Sequence, residues 1–363
     1  MAYVFNTDLL LNDADQKQAD SAFPEVYFAL NNPVLRDVFK PIDQRANQAK
    51  SRSRRWGMFA VWLATGALLL AGGEMLYHDL SKTTVRVIAG IGGVAGIASV
   101  LIGVFGIMYR KRKMRWLADR LATERLRQFH FQSYVAGAQK ILESAANPDA
   151  KDAFLKERDE KLDAFREDFL AHIDENLHHI VHADDAGHGL IWGEEPPEID
   201  PENPHLEEYL DAYVAFRFKR QIDYCNLILS ERKDRWRHSP VMQAKILGGV
   251  ALICVFGILA LHGLVFLGAV ANIAWMKGPL IHVFAIWAAI IALTARTLEE
   301  GFQPEREIER MRQYRLSLRR IYERFEKSAT PKGKLAAMID LEKLSYEEMG
   351  LFLKSNYEAE FVM

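Results

Sequence analysis

The side chains best suited to chemistry gather at His178, His179, His182 and His188, with Asp184 and Asp185 among them. His178 and His182 stand four residues apart, the spacing at which two imidazoles share a helix face and can hold a zinc ion. The pattern HHxxH lacks the glutamate of a zinc protease, and no cysteine joins the cluster. A solvated or helix-capping role is the simpler reading, and no metal site is expected. The acidic run Glu194–Glu202 is divided by prolines and reads as a solvated loop rather than a cation site. Gly90-Ile91-Gly92-Gly93-Val94-Ala95-Gly96 superficially resembles a dinucleotide loop, but its third glycine falls one residue late and the run sits in an apolar helix rather than a strand-turn-helix. There is no Walker loop, no GxSxG and no catalytic triad. Neither an enzyme nor a cofactor is expected. The two cysteines, Cys225 and Cys254, give neither a disulfide framework nor a thiolate metal site.

The element that positions everything else is Thr84–Tyr109, an apolar run whose only charge is Arg86 and which ends in Arg110-Lys111-Arg112-Lys113. About 20 apolar residues rising roughly 1.5 Å each span the roughly 30 Å core of a bilayer, so this stretch is expected to cross a membrane. Whole-chain averages conceal it: 50% hydrophobic residues and a net charge of −2 would suit a soluble protein. Residues are instead segregated along the chain. Between Asp149 and Asp211 lie 20 acidic and 5 basic residues, whereas 110–127 carries 8 basic and 2 acidic.

Gly57–Tyr77 is a further expected span, returning through the link His78–Lys82 to Thr84–Tyr109. Lys50, Arg52, Arg54 and Arg55 precede this hairpin and the basic run 110–115 follows it, so both flanks are cytoplasmic by the positive-inside rule. Trp56 and Trp116 are expected as interfacial anchors beside Arg110, Lys111, Arg112 and Lys113. The plan repeats: Trp236 and neighbouring cations precede Ile246–Ala274, Lys277-Gly278-Pro279 turns the chain, and Leu280–Ala295 returns to Arg296. At 16 residues this last span needs Lys277 and Arg296 to reach toward the interface. His262, Asn272 and His282 are the polar groups within the apolar runs. Without charged midplane residues an ion-coupled transporter is disfavoured. Gly92 and Gly96 form a small-xxx-small face, with Gly103 two turns on; it serves packing within the hairpin or an oligomer seam.

The remaining segments read as helices. Asn32-Pro33 opens one, which Pro41 should break or kink. The stripe Met114, Leu117, Leu121 through Leu142 runs to a break at Asn147-Pro148; Phe154 through Ile180 defines another helix, Ala183–Pro204 a loop or hinge, and Leu206–Trp236 a further helix. Ile308 through Phe325 recur at three or four residues, Pro331 and Gly333 interrupt, and Ser345 with Glu348 reads as a capping box starting a last helix near Tyr346. No cleaved signal peptide is expected at residues 1–32. The expected architecture is all-α, an integral membrane protein with four transmembrane helices in two hairpins and a cytoplasmic helical body. Its segments are 1–56, 57–109, 110–245, 246–295 and 296–363, the first, third and last cytoplasmic.

The passage RKRKMRWLADRLATERLRQFHF at 110–131, with its W-x₃-R-x₃-E pattern at Trp116, Arg120 and Glu124, and the closing LEKLSYEEMGLFLKSNYEAEFVM at 341–363 resemble the SLATT group of bacterial membrane proteins. That group has one two-span hairpin where this chain has two. The resemblance implies an effector of nucleotide-linked antiviral defence that oligomerises and permeabilises or depolarises the inner membrane. Its implied partners are the bilayer, further copies of itself, and a cytoplasmic sensor protein or nucleotide second messenger. Apart from the resemblance, the basic clusters offer Arg120, Arg125 and Arg127, or Arg315, Arg319 and Arg320, as candidates to bind a nucleotide second messenger or nucleic acid. Direct DNA binding is not expected. The rival reading is a non-conducting scaffold that recruits partners through its charged helices.

Overall fold

The computed structural model describes residues 7–77, 80–107, 110–183, 187, 189–231 and 239–358. It is 85% helix and, among the described residues, has no strand. Two short helices, α1 (Asp13–Ala22) and α2 (Tyr27–Leu30), precede the long α3 (Pro33–Gly72). There follow α4 (Lys82–Leu101), α5 (Arg110–Ala136), α6 (Ala138–Ala146), α7 (Pro148–Phe165), α8 (Ile173–His182), α9 (Leu206–Tyr213) and α10 (Lys219–Ile228). The chain closes with α11 (Pro240–Val270), α12 (Pro279–Phe302), α13 (Pro304–Lys327) and α14 (Pro331–Glu358). Wider π-helical turns extend α4 (Ile102–Ile107), α7 (Arg166–Leu170) and α9 (Val214–Phe218).

Local sequence explains where these helices begin. Proline is the first residue of α3, α7, α11, α12, α13 and α14, where its missing N–H leaves no intrahelical bond unmade. Side-chain caps add to this: Asn32 Oδ1 accepts from the Leu35 amide at 2.9 Å, and Asn147 Oδ1 from the Asp149 amide at 3.0 Å. Ser81 and Ser239 cap α4 and α11 in the same way.

The chain divides into two compact units. The packed unit comprises Met1–Ala49, Lys111–Leu229 and Glu309–Ala359. Its core gathers Phe39, Phe129, Phe131, Tyr213, Leu318 and Leu335 from α3, α5, α9, α13 and α14, all nearly inaccessible. The apolar unit comprises Lys50–Arg110, Ser230–Ile308 and Glu360–Met363. Here large apolar side chains point outward: Ile253 is 73% exposed, Val270 72% and Val94 69%. Four helical stretches, Tyr27–Gly72, Lys82–Val104, Pro240–Val270 and Ala274–Lys327, are long and apolar enough to cross a membrane. The protein is compatible with a multi-pass membrane protein.

Several expectations are corrected. Pro41 lies inside α3 and does not end it. Asp37, whose carbonyl loses its partner there, and Pro41 both occupy the exposed face, so the unmade bond faces solvent while Leu35 and Phe39 hold the helix to the core. Ser345 and Glu348 do not start a helix, because α14 runs unbroken from Pro331. Its buried positions Leu335, Met338, Leu341, Tyr346, Met349 and Leu353 form one continuous stripe through the supposed boundary. The run Ile246–Ala274 ends as a helix at Val270, and Asn272 sits in a left-handed turn at φ 53° rather than within a span. The stretch Phe154–Ile180 is divided between α7 and α8, and α5 ends at Ala136, with Gly137 parting it from α6 ahead of the break at Asn147-Pro148. The helix expected to reach Trp236 ends at Ile228; Trp236 itself lies outside the described residues, as do His78, Asp184, Asp185 and His188.

Candidate functional site

Helix α9 delivers Tyr213 to the centre of the packed unit, and the π turn after it delivers Arg217. A π turn inserts one extra residue and re-aims the side chains that follow, a feature frequent at functional positions. Arg217 Nε and Nη2 each donate to one oxygen of Glu342 on α14 at 2.8 Å, a two-pronged pair in which both side chains are at most 2% exposed. The Tyr213 hydroxyl lies 2.8 Å from Glu342 Oε1, and the Arg217 guanidinium rests 4.6 Å from the Phe131 ring centre. Burial opposes the charge on Arg217, but the Glu342 carboxylate outweighs it and holds the guanidinium above its ordinary range. Burial, seconded by Glu342, raises the Tyr213 phenol well above its usual value. Nearby, Tyr134 and Tyr209 stack 4.5 Å apart and each donates its hydroxyl to the other's backbone carbonyl at 2.9 Å. The cluster ties α5, α9 and α14 together through groups that tolerate only one arrangement.

The arginines expected to receive a signal are built into this unit. Arg120 pairs with Glu124 at 2.6 Å along α5. Arg127 pairs with Glu124 at 2.7 Å and with Asp8 at 2.9 Å. Burial pushes Glu124 up, yet Arg120 and Arg127 together bring it down to about 2. Arg125 donates to Gln128 at 2.6 Å and to the Gly189 carbonyl at 2.7 Å, with Phe169 and Tyr346 rings at about 5 Å. Burial lowers its guanidinium to about 10. Arg125 thus fastens the glycine-rich loop to α5, with Gln132 accepting from the Ile191 amide at 2.7 Å beside it. Gly189 is needed there: its φ is +64° and a Cβ would come within 2.1 Å of Tyr346.

Other expected residues take several places. Trp116, expected as an interfacial anchor, is 6% exposed and packs edge-on against Phe352 at 6.0 Å. Trp56 is 45% exposed and touches Phe59. Lys113 donates to the Tyr357 carbonyl at 2.8 Å, and Arg112 is exposed. Arg110 and Lys111 open α5, with side chains outside the described set. In the apolar unit, a Cβ on Gly92 would lie 3.6 Å from Leu70 and one on Gly96 3.7 Å from Ala67, so these glycines close against α3. Gly103 has nothing within 4 Å. Polar contacts the sequence did not disclose also join helices here. The Thr65 and Thr294 hydroxyls meet at 2.8 Å, Trp287 Nε1 donates to the Leu69 carbonyl at 2.9 Å, and Ser99 donates to the Ala60 carbonyl at 2.9 Å.

The Arg217–Glu342 pair was not singled out from the sequence, although a signal was present. Arg217 stands between Phe216 and Phe218, and Glu342 follows Leu341 in an apolar stripe; a charge on an apolar face has to find a partner. His178 and His182 do come together, with ring centres 4.3 Å apart. Comparison with family models, curated proteins and solved structures finds no match to this chain.

Proposed function

We propose that this chain is a membrane effector of a bacterial antiviral defence system, which oligomerises and permeabilises or depolarises the inner membrane on a cytoplasmic signal. The observation that carries the membrane reading is the outward display of Val94, Ile253 and Val270 on helices long enough to span a bilayer. The defence context rests on the resemblance of 110–131 and 341–363 to the SLATT group. The spans pair as two antiparallel hairpins, supported for α3 and α4 by the Ser99 contact and the closure of Gly92 on Leu70. The basic flanks at 50–55 and 110–115 support, by the positive-inside rule, a cytoplasmic packed unit and cytoplasmic termini. A signal acts by favouring one packing of that unit over another, and α3, which belongs to both units, passes the choice to the spans. Because Gly92 and Gly96 are occupied within the hairpin, assembly uses the open side of α4, where Gly90 and Gly93 have nothing within 4 Å.

Potassium or dye leakage from proteoliposomes holding the purified, correctly oriented chain tests this reading, with and without extract from phage-infected cells. Signal-dependent leakage is expected. Gly93→Leu should weaken both leakage and assembly. Tight vesicles under every condition, with a missing partner supplied, would favour the scaffold instead.

A further inference from the structure

The last turn of α8 carries an arrangement that the packing of the unit does not require. His178 and His182 lie on one exposed face with ring centres 4.3 Å apart, tilted 48° to one another. From the last turn of α14 the Tyr357 ring meets His182 edge-on at 5.0 Å, and its hydroxyl oxygen stands 3.1 Å from His182 Nε2. Two exposed imidazoles have room to turn apart, so their approach beside a phenol gathers three donors of the kind first-row metals take.

We propose that His178, His182 and Tyr357 form a site for a divalent metal ion of zinc's class, and that the bound ion pins the end of α14 to the end of α8. The geometry suits it. Two donors about 2.0 Å from a tetrahedral zinc ion stand about 3.3 Å apart, close to the separation already present between His182 Nε2 and the Tyr357 oxygen. Imidazoles four residues apart on a helix chelate one ion, and imidazole suits zinc, copper and nickel. The carboxyl-terminal end of a helix favours positive charge, and both histidines lie in or beside the last turn of α8. On binding, neutral imidazole nitrogens and the Tyr357 oxygen bond to the metal, and the phenolic proton leaves to solvent; a fourth position is open to water. Among the described residues Lys113 and Lys354 bring positive charge to this end of the unit, and their ammonium groups donate to the carbonyls of Tyr357 and Ala183 at 2.8 and 2.7 Å.

The consequence is a clasp between α8 and the chain end, independent of whether the spans conduct. The test is zinc alone, titrated into the purified full chain in detergent against a chromophoric chelator, with cobalt absorption reporting the geometry. One saturable site per chain is expected, together with increased hydrogen-exchange protection of amides 354–358 in zinc. His178→Ala with His182→Ala should weaken binding more than about a hundredfold, and Tyr357→Phe about tenfold with loss of proton release. His179→Ala, on the same helix and outside the cluster, should leave binding unchanged. An isotherm unaltered by the double histidine substitution, or equally lost in His179→Ala, would overturn the proposal.

Discussion

The two units are built from the same kind of helix and turn it opposite ways. In the packed unit Tyr213 and Leu335 are inaccessible and exposed positions carry charge; in the apolar unit Ile253 and Leu259 face out, and buried contacts are few. Their polar groups follow the same inversion. The packed unit buries full charges, Arg217 with Glu342, because each supplies the other's partner. The apolar unit joins helices with hydroxyl, indole and backbone groups, which are less costly to hold away from water. The difference teaches that hydrophobic content alone does not make a core: what surrounds the helix decides which face is inside.

The sharpest way to break this contrast is to strip one partner from the buried pair. Glu342→Ala leaves Arg217 charged and alone, and should destabilise the packed unit by about 3–5 kcal/mol in denaturant unfolding of the full chain. Replacing the pair together, Arg217→Met with Glu342→Leu, should restore most of that loss.

Acid tests how dry the same interior is. Burial, helped by Arg158, Arg217 and Arg36, lowers His130 from 6.5 to about 3, so the folded chain holds it neutral. Below pH 6.5 the unfolded chain binds a proton that the folded chain refuses, and stability should fall as pH drops from 6.5 toward 3, by on the order of 4 kcal/mol in all. Glu124 acts in the same direction at lower pH. Its folded value of about 2 lies below the ordinary 4.5, so its stabilisation is complete above 4.5 and disappears as pH falls through 2. His130→Leu should flatten the upper part of the thermal-stability profile.

On the apolar side, Ile253→Arg should oppose insertion of α11 by about 2.5–3.5 kcal/mol, read as the inserted fraction in a glycosylation-mapping assay. Ile253→Ala should leave the fold almost intact. The smallest effect expected is that of Tyr213→Phe, which removes one hydroxyl from Glu342 and should cost about 1 kcal/mol while Arg217 keeps its partner.

Much of the scaffold was legible in the sequence because its signals are local. Asn32-Pro33 and Asn147-Pro148 announce helix starts through their own side chains, and four apolar stretches announce themselves by length. Errors arose where a local signal met a tertiary one. Pro41 looks like a breaker but sits on a water-facing side, and Ser345 looks like a cap but lies in the stripe that packs α14. The candidate sites were harder to read. Arg125 and Arg127 belong to a basic run that topology explains, and only their partners Gly189 and Asp8, distant in sequence, show how they are held within the unit. The pairing of Arg217 with Glu342 spans 125 residues, beyond any periodicity.

The Thr65–Thr294 contact sets a clock on biosynthesis. Its two hydroxyls are separated by 229 residues, so at roughly 5–20 residues per second the ribosome delivers the second about 10–45 s after the first. Throughout that interval the earliest apolar helix lacks its last neighbour, and Arg217, once made, waits for Glu342 until after Thr294 has appeared. A ribosome stalled before residue 294 would leave both units unfinished at once, with open helix faces for insertion factors and quality-control proteases to find.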